Sequence, residues 1–518
     1  MSWVIRASIG TSLLVLAGCL VGPDYERTAL DLPPSYEVPR GMAAGPEEPR
    51  LDRWWDHFDD ATLTSLIQRA EQGNLTLEQA AANVQVYRAR YGISYSNLFP
   101  SINLGASYSR NRVNFASLGG AEGSSGPFND WQYGLTLSTW EIDLWGKIRR
   151  GMQASQAELQ GTVEQYRQAL VSLRAETAIA YLTVRTLQAQ LEYTREVVDL
   201  LTQVVRVTEA KFAAKTNTLI DVSQAKAQLA NTKAQIPQLE AQIAEQSNGI
   251  SVLLGEYPGP VARELAAPAP IPIPDRELAI GIPADLLRRR ADVLDAERQL
   301  VAATARIGVA EAGFLPELTL VGNFGIDSST FDGLDQWSNR VYMFGPRLSW
   351  NFFNGGRVVS QVKQAQALAM LSEIAWRQSV LNAVSQVQTS LSNYDGSRRA
   401  MFDYRAGVGD TKTAYDLALA RYKAGTIDLT QLLQFAQVVL DAEIGLAQAT
   451  GQTSQNLVEL YRSLGGGWEA YPIPYGGADA FLDDRGRTSD GGRDEVPDGR
   501  HFPPQEPPKQ SKEGAPVG

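Results

Sequence analysis

Two long stretches without proline constrain the fold of this chain more than any other feature. Residues 128–236 and 347–471 are 109 and 125 residues free of the strongest helix breaker. Within the first stretch, fifteen positions spaced alternately by three and four residues, from Val163 to Phe212, are apolar at twelve sites. This heptad pattern is typical of a helix that packs along other helices. A helix over residues 147–212 would be roughly 100 Å long at ~1.5 Å per residue, too long for an ordinary globular core.

The same pattern returns 210 residues later, which indicates an internal duplication. Fifteen positions from Glu373 to Tyr422 keep the register and are apolar at eleven sites. Residues 211–214 (Lys-Phe-Ala-Ala) return as residues 421–424 (Arg-Tyr-Lys-Ala) at the same offset. Each half is therefore predicted to contain a helix, a strand, a glycine-rich loop, a strand, a long helix, a tight turn and a helix. The second long helix is expected over residues 357–422.

Four short segments alternate apolar or aromatic residues with small or polar ones. They cover residues 102–109, 133–140, 318–324 and 342–350. Segments of about ten residues with this alternation, and with aromatic residues near their ends, are typical of outer-membrane barrel strands. Four strands cannot close a barrel around a channel, so a barrel requires several copies, and three copies would supply twelve strands. A soluble antiparallel sheet is the alternative.

The N-terminal residues indicate export and lipid anchoring. Arg6 precedes an apolar stretch too short to span a bilayer, which ends in Leu-Ala-Gly directly before Cys19. This resembles the lipobox of bacterial lipoproteins, in which cleavage falls before the cysteine and the cysteine is acylated. Cys19 is therefore the predicted lipidation site, and a plain signal peptide is the alternative. Leu20 follows without an aspartate, which resembles sorting to the outer membrane, and no run of 18 apolar residues follows, so only strands could span a membrane.

Composition excludes several functions. The chain has one cysteine and two histidines, His57 and His501, which lie at opposite ends. A catalytic triad or a His/Cys metal site would have little to draw on, so we expect no catalytic residues, no metal and no cofactor. The net charge of −11 argues against a nucleic-acid partner. We expect His57 to be a surface or packing residue.

These features divide the chain into six predicted segments. A signal peptide (1–18) precedes an extended N-terminal segment (19–59) and a first repeat (60–255). A linker (256–283) leads to the second repeat (284–465). The last segment, residues 466–518, contains 8 Pro and 10 Gly and is expected to be a disordered polar tail.

One stretch carries the most specific resemblance. Residues 281–293 read Gly-Ile-Pro-Ala-Asp-Leu-Leu-Arg-Arg-Arg-Ala-Asp-Val, and residues 421–426 read Arg-Tyr-Lys-Ala-Gly-Thr. With Trp54, Trp55 and the lipobox, they resemble the outer membrane efflux protein family of TolC-like trimeric channels. The chain is most similar to the lipoprotein branch in multidrug efflux systems (NodT/OprM-like).

That stretch contains one departure from the family sequence and one basic cluster. The family usually has a proline where this chain has Ala291. The arginine triplet at residues 288–290 is expected to be structural, pairing with Asp285, Asp292 or Asp295 at the start of a helix.

The resemblance implies a fold and a function. The fold is mixed and mainly α, with long coiled-coil helices forming a periplasmic α-barrel and four strands contributing to a twelve-strand β-barrel of a homotrimer. The function is a passive outer membrane exit duct for small toxic compounds. It implies a periplasmic adaptor protein and an inner-membrane pump, with the RND type favoured, as partners. The alternatives are the exit duct of a type I protein secretion system and a periplasmic coiled-coil scaffold without a pore.

The resemblance also supplies candidate residues for the periplasmic aperture. Asp221 follows the first tight turn and Asp428 lies in the second, and threefold symmetry would gather their carboxylates into cation-attracting rings. The alternative is that both are helix-capping turn residues. Arg421 and Tyr422 are candidates for contacts that keep the tip closed, although Phe212, at the duplicate position of Tyr422, suggests core packing instead. Gln434 replaces a family carboxylate, so a gating scheme cannot be transferred unchanged.

Overall fold

Two helices of 67 and 68 residues dominate the structure. The computed structural model describes residues 20–37, 51–112, 127–273 and 289–468, all within the first of the two units into which the chain divides. The helices, with 3-10 turns omitted, are α1 Ala61–Gly73, α2 Leu75–Ser96, α3 Lys147–Ala213, α4 Leu219–Lys233, α5 Gln235–Leu253, α6 Pro260–Glu264, α7 Ala291–Ala312, α8 Arg357–Ala424 and α9 Leu429–Leu464. The strands are β1 Ile102–Asn111, β2 Phe128–Glu141, β3 Glu317–Ser328 and β4 Arg340–Ser349.

The predicted duplication is confirmed by the order of the elements. The order α2, β1, β2, α3 and a following helix is repeated by α7, β3, β4, α8 and α9. Long helix α3 packs against α7, α9 and α2, and α8 packs against α9 and α7. Interdigitated apolar residues at heptad spacing therefore hold the two repeats together along their helices. None of the described helices is both long and apolar enough to cross a membrane.

The last helices of the two repeats differ at one proline. After α3 the chain forms two helices, α4 and α5, which meet at Ala234, whereas α9 is continuous over 36 residues. Pro237 explains the break, because it cannot donate a backbone hydrogen bond to the carbonyl of Lys233. The equivalent residue in α9 is Ala447. The single helix predicted after the first turn is therefore corrected to two.

The four strands form one antiparallel sheet in the order β1-β2-β3-β4. Apolar residues share one face, as the aligned series Leu104, Leu135, Phe324 and Tyr342 shows. The neighbouring positions, such as Thr136, place small or polar side chains on the other face. The four predicted strands are confirmed, and β2 begins five residues earlier than the predicted segment.

One further expectation is corrected. Residues Trp54–Phe58, within the segment predicted to be extended, form a 3-10 helix whose aromatic residues are buried. Helix α7 begins at Ala291, with Arg290 as its N-cap, and Arg289 before it is helical; the expected helix start after Pro283 lies outside the described residues. Ala291 is the first helical residue, a position where proline is well tolerated, so the departure from the family proline leaves the helix start intact.

Candidate functional site: the paired helix tips

A tight turn follows each of the two long helices, and the two turns have the same hydrogen bonds. We call α3 with α4 the first hairpin and α8 with α9 the second hairpin; their tips are residues 214–218 and 424–428. In the first tip, the Thr216 backbone nitrogen and hydroxyl both donate to the Lys211 carbonyl at 2.9 Å. In the second, Thr426 donates to the Arg421 carbonyl in the same way, at 3.0 and 3.1 Å.

The same position in each tip is left-handed. Gly425 has φ of +79°, and Lys215, its duplicate, has φ of +59°. Glycine adopts this conformation without steric penalty, whereas a residue with a Cβ atom is strained by it. The first tip therefore keeps the turn geometry with a residue that is poorly suited to it.

The candidate carboxylates Asp221 and Asp428 each cap a helix. Asp428 is the N-cap of α9, and its Oδ1 accepts from the Gln431 nitrogen at 2.8 Å. At the first tip the cap is Thr218, and Asp221 completes a capping box, accepting from the Thr218 nitrogen at 2.8 Å. The capping alternative is thus confirmed within one chain, and the helix N-terminus also favours a negative charge there. A role in a ring of several copies stays a prediction.

Tyr422 ties the second hairpin to the first. Its side chain is 2% exposed, and its hydroxyl lies 2.9 Å from both the Thr208 hydroxyl and the Asn217 side-chain nitrogen. The Lys211 ammonium donates to the Tyr422 carbonyl and lies 4.3 Å from the centre of its ring. The other candidate, Arg421, has an exposed side chain, and only its carbonyl takes part in the turn. Tyr422 therefore makes the inter-hairpin contact expected of this pair.

The duplicate of Tyr422 behaves differently. Phe212 is 43% exposed, so the core packing suggested for this pair of positions holds only in the second hairpin. Gln434, which replaces the family carboxylate, is exposed on α9.

An apolar core fills the space behind the tips. Its buried residues come from α3, α4, α8 and α9: Val197, Leu201, Val204, Val205, Ala225, Tyr415, Ala418, Tyr422, Leu429, Leu432, Leu433, Ala436, Val439 and Leu440. Heptad spacing directs these side chains into one seam. The two hairpins are thus packed together by apolar contacts, and Tyr422 adds polar ones at the tip end.

A second site concerns the chain N-terminus. Cys19 lies outside the described residues, which begin at Leu20. Leu20 packs directly on Gly146, where a Cβ atom would be 2.5 Å from the leucine Cδ1, and Val21 donates to the Trp145 carbonyl at 3.1 Å. Gly146 is the N-cap of α3, five residues after β2 ends. The residue next to Cys19 therefore lies where the sheet gives way to the long helices.

Buried Arg150 holds this N-terminal strap, which we define as residues 20–27. Its side chain is 3% exposed and donates to the Val21 carbonyl at 2.9 Å and the Gly22 carbonyl at 2.8 Å. A further nitrogen lies 2.7 Å from the Asp24 carboxylate. Backbone carbonyls and the Asp24 carboxylate of the strap thus replace the water that the buried guanidinium would otherwise bind.

The strap is also fixed to α7. Tyr25 donates to the Glu297 carboxylate at 3.0 Å, and Arg27 forms an ion pair with it. Burial, with the Glu297 charge close by, raises the pKa of Tyr25 to about 12. Gly22 faces Gly308 so closely that a Cβ atom on Gly22 would lie 2.3 Å from the Gly308 Cα. Sequence reasoning missed these contacts, although Glu297 and Gly308 lie in the stretch that follows the family motif.

The remaining candidates have structural surroundings. Arg290 pairs with Asp292 at 2.6 Å and donates to the Ser463 carbonyl at 2.8 Å, which confirms the structural interpretation for this arginine. Arg288 and Asp285 lie outside the described residues, as does the expected tail after residue 468. His57 contacts the Tyr461 hydroxyl at 2.8 Å, so it is a packing residue. Across the described ranges, no group of three or more His, Cys, Asp or Glu residues could hold a metal ion.

Comparisons with known proteins agree on one family. The profile of outer membrane efflux proteins matches residues 66–256 and 282–466. The chain is 27% identical to nodulation protein T of Rhizobium leguminosarum over 88% of this chain and 96% of that protein. It is 30% identical to the toluene efflux pump outer membrane protein TtgF of Pseudomonas putida, over 88% and 95%. The solved structure of the outer-membrane channel OprN matches with a TM-score of 0.80 and 31% identity, covering 87% of this chain and all of that one.

Proposed function

Since this chain belongs to the outer membrane efflux protein family, we propose that it is the outer membrane exit channel of an efflux system and passively conducts small toxic compounds. The observation that carries the proposal is the similarity to the channel OprN, which covers 87% of this chain and all of that one. In this proposal the chain acts as a conduit. Energy and substrate choice belong to its partners, a periplasmic adaptor and an inner-membrane pump of the RND type.

The sheet supports assembly into a trimer. Among the described strands, β1 and β4 each pair on one side only, and four strands cannot enclose a channel. The apolar face is open in a single chain, with Leu104 77% and Leu348 68% exposed. In the proposed homotrimer, β1 of one copy pairs with β4 of the next, which closes a twelve-strand barrel with its apolar face toward lipid.

The N-terminal strap supports a lipid anchor at Cys19. Leu20 is held at the junction between sheet and helices, which in the proposed barrel is the periplasmic surface of the outer membrane. Acyl chains on Cys19 would therefore enter the inner leaflet with no intervening linker. A Cys19→Ser variant should lose the acyl mass by mass spectrometry of the purified protein. An unmodified Cys19 in the wild type would refute the anchor.

The tips are the proposed periplasmic aperture. Tyr422 holds the two hairpins together within each chain, and Asp221 and Asp428 would form carboxylate rings around the threefold axis. Such rings attract cations and repel anions. Arg421, exposed at the tip, is available for a contact with a neighbouring copy.

Conductance in planar bilayers tests the channel. The purified trimer should give cation-preferring current steps, and the variant Tyr422→Phe/Asn217→Ala, which loosens the tip, should conduct more. A silent bilayer even with that variant would refute the pore and favour a scaffold.

Deletion of the gene tests the cargo. The deletion strain should become sensitive to dyes, detergents or antibiotics. A protein-secretion defect with unchanged sensitivity would instead favour the duct of a type I secretion system.

A further inference from the structure

The connection between β3 and β4 folds back onto the sheet. Residues 329–339, which we call the β3–β4 loop, contain two 3-10 turns. The centre of the Phe331 ring lies 5.2 Å from that of Trp131 on β2. The centre of the Trp337 ring lies 6.1 Å from that of Phe324 on β3. The loop therefore covers the side of the sheet and does not simply extend beyond the ends of the strands.

The side that the loop covers is the apolar face. Phe324 belongs to the aligned apolar series of the sheet, and its partner in that series is Leu135 of β2. Trp131 lies four residues before Leu135, so the two side chains share this face. Tyr133 lies between them on the same face, and its hydroxyl donates to the Leu334 carbonyl of the loop at 3.0 Å. In the proposed barrel this face is directed to lipid, so the loop lies outside the barrel and not across its opening.

The loop extends to the depth of the hydrocarbon. At the opposite, periplasmic end of the sheet, Lys147 joins Glu141 at 3.1 Å and Glu317 at 2.7 Å. Phe324 lies seven residues along β3 from Glu317, and Ser328 lies eleven residues from it. At ~3.3 Å per residue and a strand tilt of about 40°, these positions are roughly 18 and 28 Å above that end. The apolar band of an outer-membrane barrel is about 25 Å tall, so the loop covers its outer part.

The backbone of the loop is paired within the chain, as a segment in contact with lipid requires. The carbonyls of Thr330, Gly333 and Gln336 accept from backbone nitrogens at 3.2, 3.3 and 3.0 Å. The Leu334 carbonyl accepts from the tyrosine described above, and the Trp337 carbonyl accepts from a guanidinium at 2.9 Å. Five loop carbonyls are thus bonded to protein groups, where a loop in water could leave them to solvent.

The outward side of the loop combines aromatic rings with a cation. Phe331 is 66% exposed and Trp337 is 65% exposed. Arg340 directly follows the loop on the apolar face of β4, and its guanidinium carbon lies 5.3 Å from the centre of the Trp337 ring. Within the described residues it forms no ion pair, and the exposed carboxylates of Asp332 and Asp335 are not bonded to it. Exposed aromatic rings beside an unpaired cation suit the boundary between acyl chains and phosphate headgroups.

We propose that the β3–β4 loop is a lipid-binding surface on the outside of the barrel. Phe331 and Trp337 enter the outer leaflet of the membrane, and Arg340 binds the phosphate of an anionic lipid there. Asp332 and Asp335 oppose an anion, so Arg340 supplies the attraction. The inference rests on the proposed channel and adds to it a lipid partner, with one such surface for each copy of the chain.

Native mass spectrometry of the detergent-solubilised trimer tests the phosphate contact. Titration with lipid A, a glycolipid with two phosphates, should load up to three molecules per trimer. Arg340→Gln should weaken this binding roughly tenfold, the usual effect of losing one charge-assisted hydrogen bond. Arg347→Gln is the matched control, because Arg347 is also exposed on β4 but lies on the opposite face at the periplasmic end. It should bind as the wild type does, and equal binding by Arg340→Gln would overturn the contact.

Quenching of tryptophan emission by lipids that are brominated on their acyl chains tests the depth of the loop. In nanodiscs of brominated phosphatidylcholine, Trp337→Phe should lose a smaller fraction of its emission than the wild type does. Trp54→Phe removes a ring that is 2% exposed and lies outside the sheet, so it should lose at least the wild-type fraction. Equal quenching of Trp337→Phe and wild type would overturn the lipid surface. This variant keeps an aromatic ring, so it decides the matter if Arg340→Gln fails to assemble.

Bilayer conductance separates this inference from the channel itself. A trimer that conducts, but shows no lipid A binding through Arg340 and no quenching of Trp337, would refute the lipid surface and leave the channel in place. A trimer that binds lipid A and is quenched at Trp337, but stays silent in bilayers, would refute the channel and support the lipid surface.

Discussion

Replacing Tyr422 with phenylalanine should loosen the tip by a predictable amount. The substitution removes the hydroxyl that contacts Thr208 and Asn217, each at 2.9 Å. Thr208 still donates to the Val204 carbonyl at 2.8 Å, and Asn217 is partly exposed, so neither partner is left buried without a bond. At about 0.5–1.5 kcal/mol for each of the two hydrogen bonds, we expect the free energy of unfolding to fall by about 1–3 kcal/mol. The open fraction of the channel should rise in parallel.

The same helix provides a matched control. Tyr415 lies two turns away in the same apolar core and is also 2% exposed, but its hydroxyl has no hydrogen-bond partner among the described residues. Tyr415→Phe removes a buried polar atom that makes no bond, so stability should stay unchanged or increase by about 1 kcal/mol. The two substitutions delete the same atom, and only the surroundings differ.

Denaturant unfolding of the detergent-solubilised protein and bilayer conductance measure both effects. A double-mutant cycle with Asn217→Ala isolates the contact across the two hairpins and should give a coupling energy of about 1 kcal/mol. Equal losses for Tyr422→Phe and Tyr415→Phe, or a coupling energy of zero, would refute the reasoning. In that event the tips would be held by apolar packing alone.

Four more substitutions test the two tips, the strap and the helix break. Lys215→Gly should stabilise the first tip by up to about 1 kcal/mol, because it removes the backbone strain of a left-handed residue that has a Cβ atom. Gly425→Lys should destabilise the second tip by a similar amount, and thermal unfolding measures both changes. Arg150→Met should release residues 20–27, at a loss of about 2–3 kcal/mol for its charged hydrogen bonds, and faster amide exchange in the strap would show it. Pro237→Ala should join α4 to α5, seen as new amide protection at residue 237, and unchanged exchange there would mean that packing and not proline causes the break.

The long helices could be predicted almost to the residue. The expected ranges 147–212 and 357–422 compare with Lys147–Ala213 and Arg357–Ala424. Heptad periodicity and the absence of proline act on every turn of such a helix, so the signal accumulates with length. Pro237 directly follows the first proline-free stretch, so the helix break near it could also have been predicted from the sequence.

Strand ends were less predictable. The predicted segment 133–140 missed the start of β2 at Phe128. Asp130 and Gln132 lie there on the polar face of the sheet, opposite Ser109 and Ser107 of β1. The alternation continues there, but Asn129 and Asp130 are residue types that strands disfavour, so propensity argued against an earlier start.

The positions of the candidate residues could be predicted from the sequence, but their side-chain contacts could not. The duplicated turns indicated where Asp221, Asp428 and Tyr422 would lie. The partners of Tyr422 on the first hairpin are more than 200 residues away in sequence, and no periodic pattern links them. The same is true of Arg150 and Glu297, whose contacts with the strap follow from packing alone.

The contacts of the strap also determine the order in which parts of the chain can fold after export. Gly22 and Tyr25 meet Gly308 and Glu297, partners that are synthesised and exported more than 270 residues later. In the proposed lipoprotein, the strap is therefore unbound at first and only tethers the emerging chain to the membrane surface. It becomes part of the fold only when α7 has formed, and closing so long a loop is slow. Docking of residues 20–27 onto α7 would then mark the end of that stage.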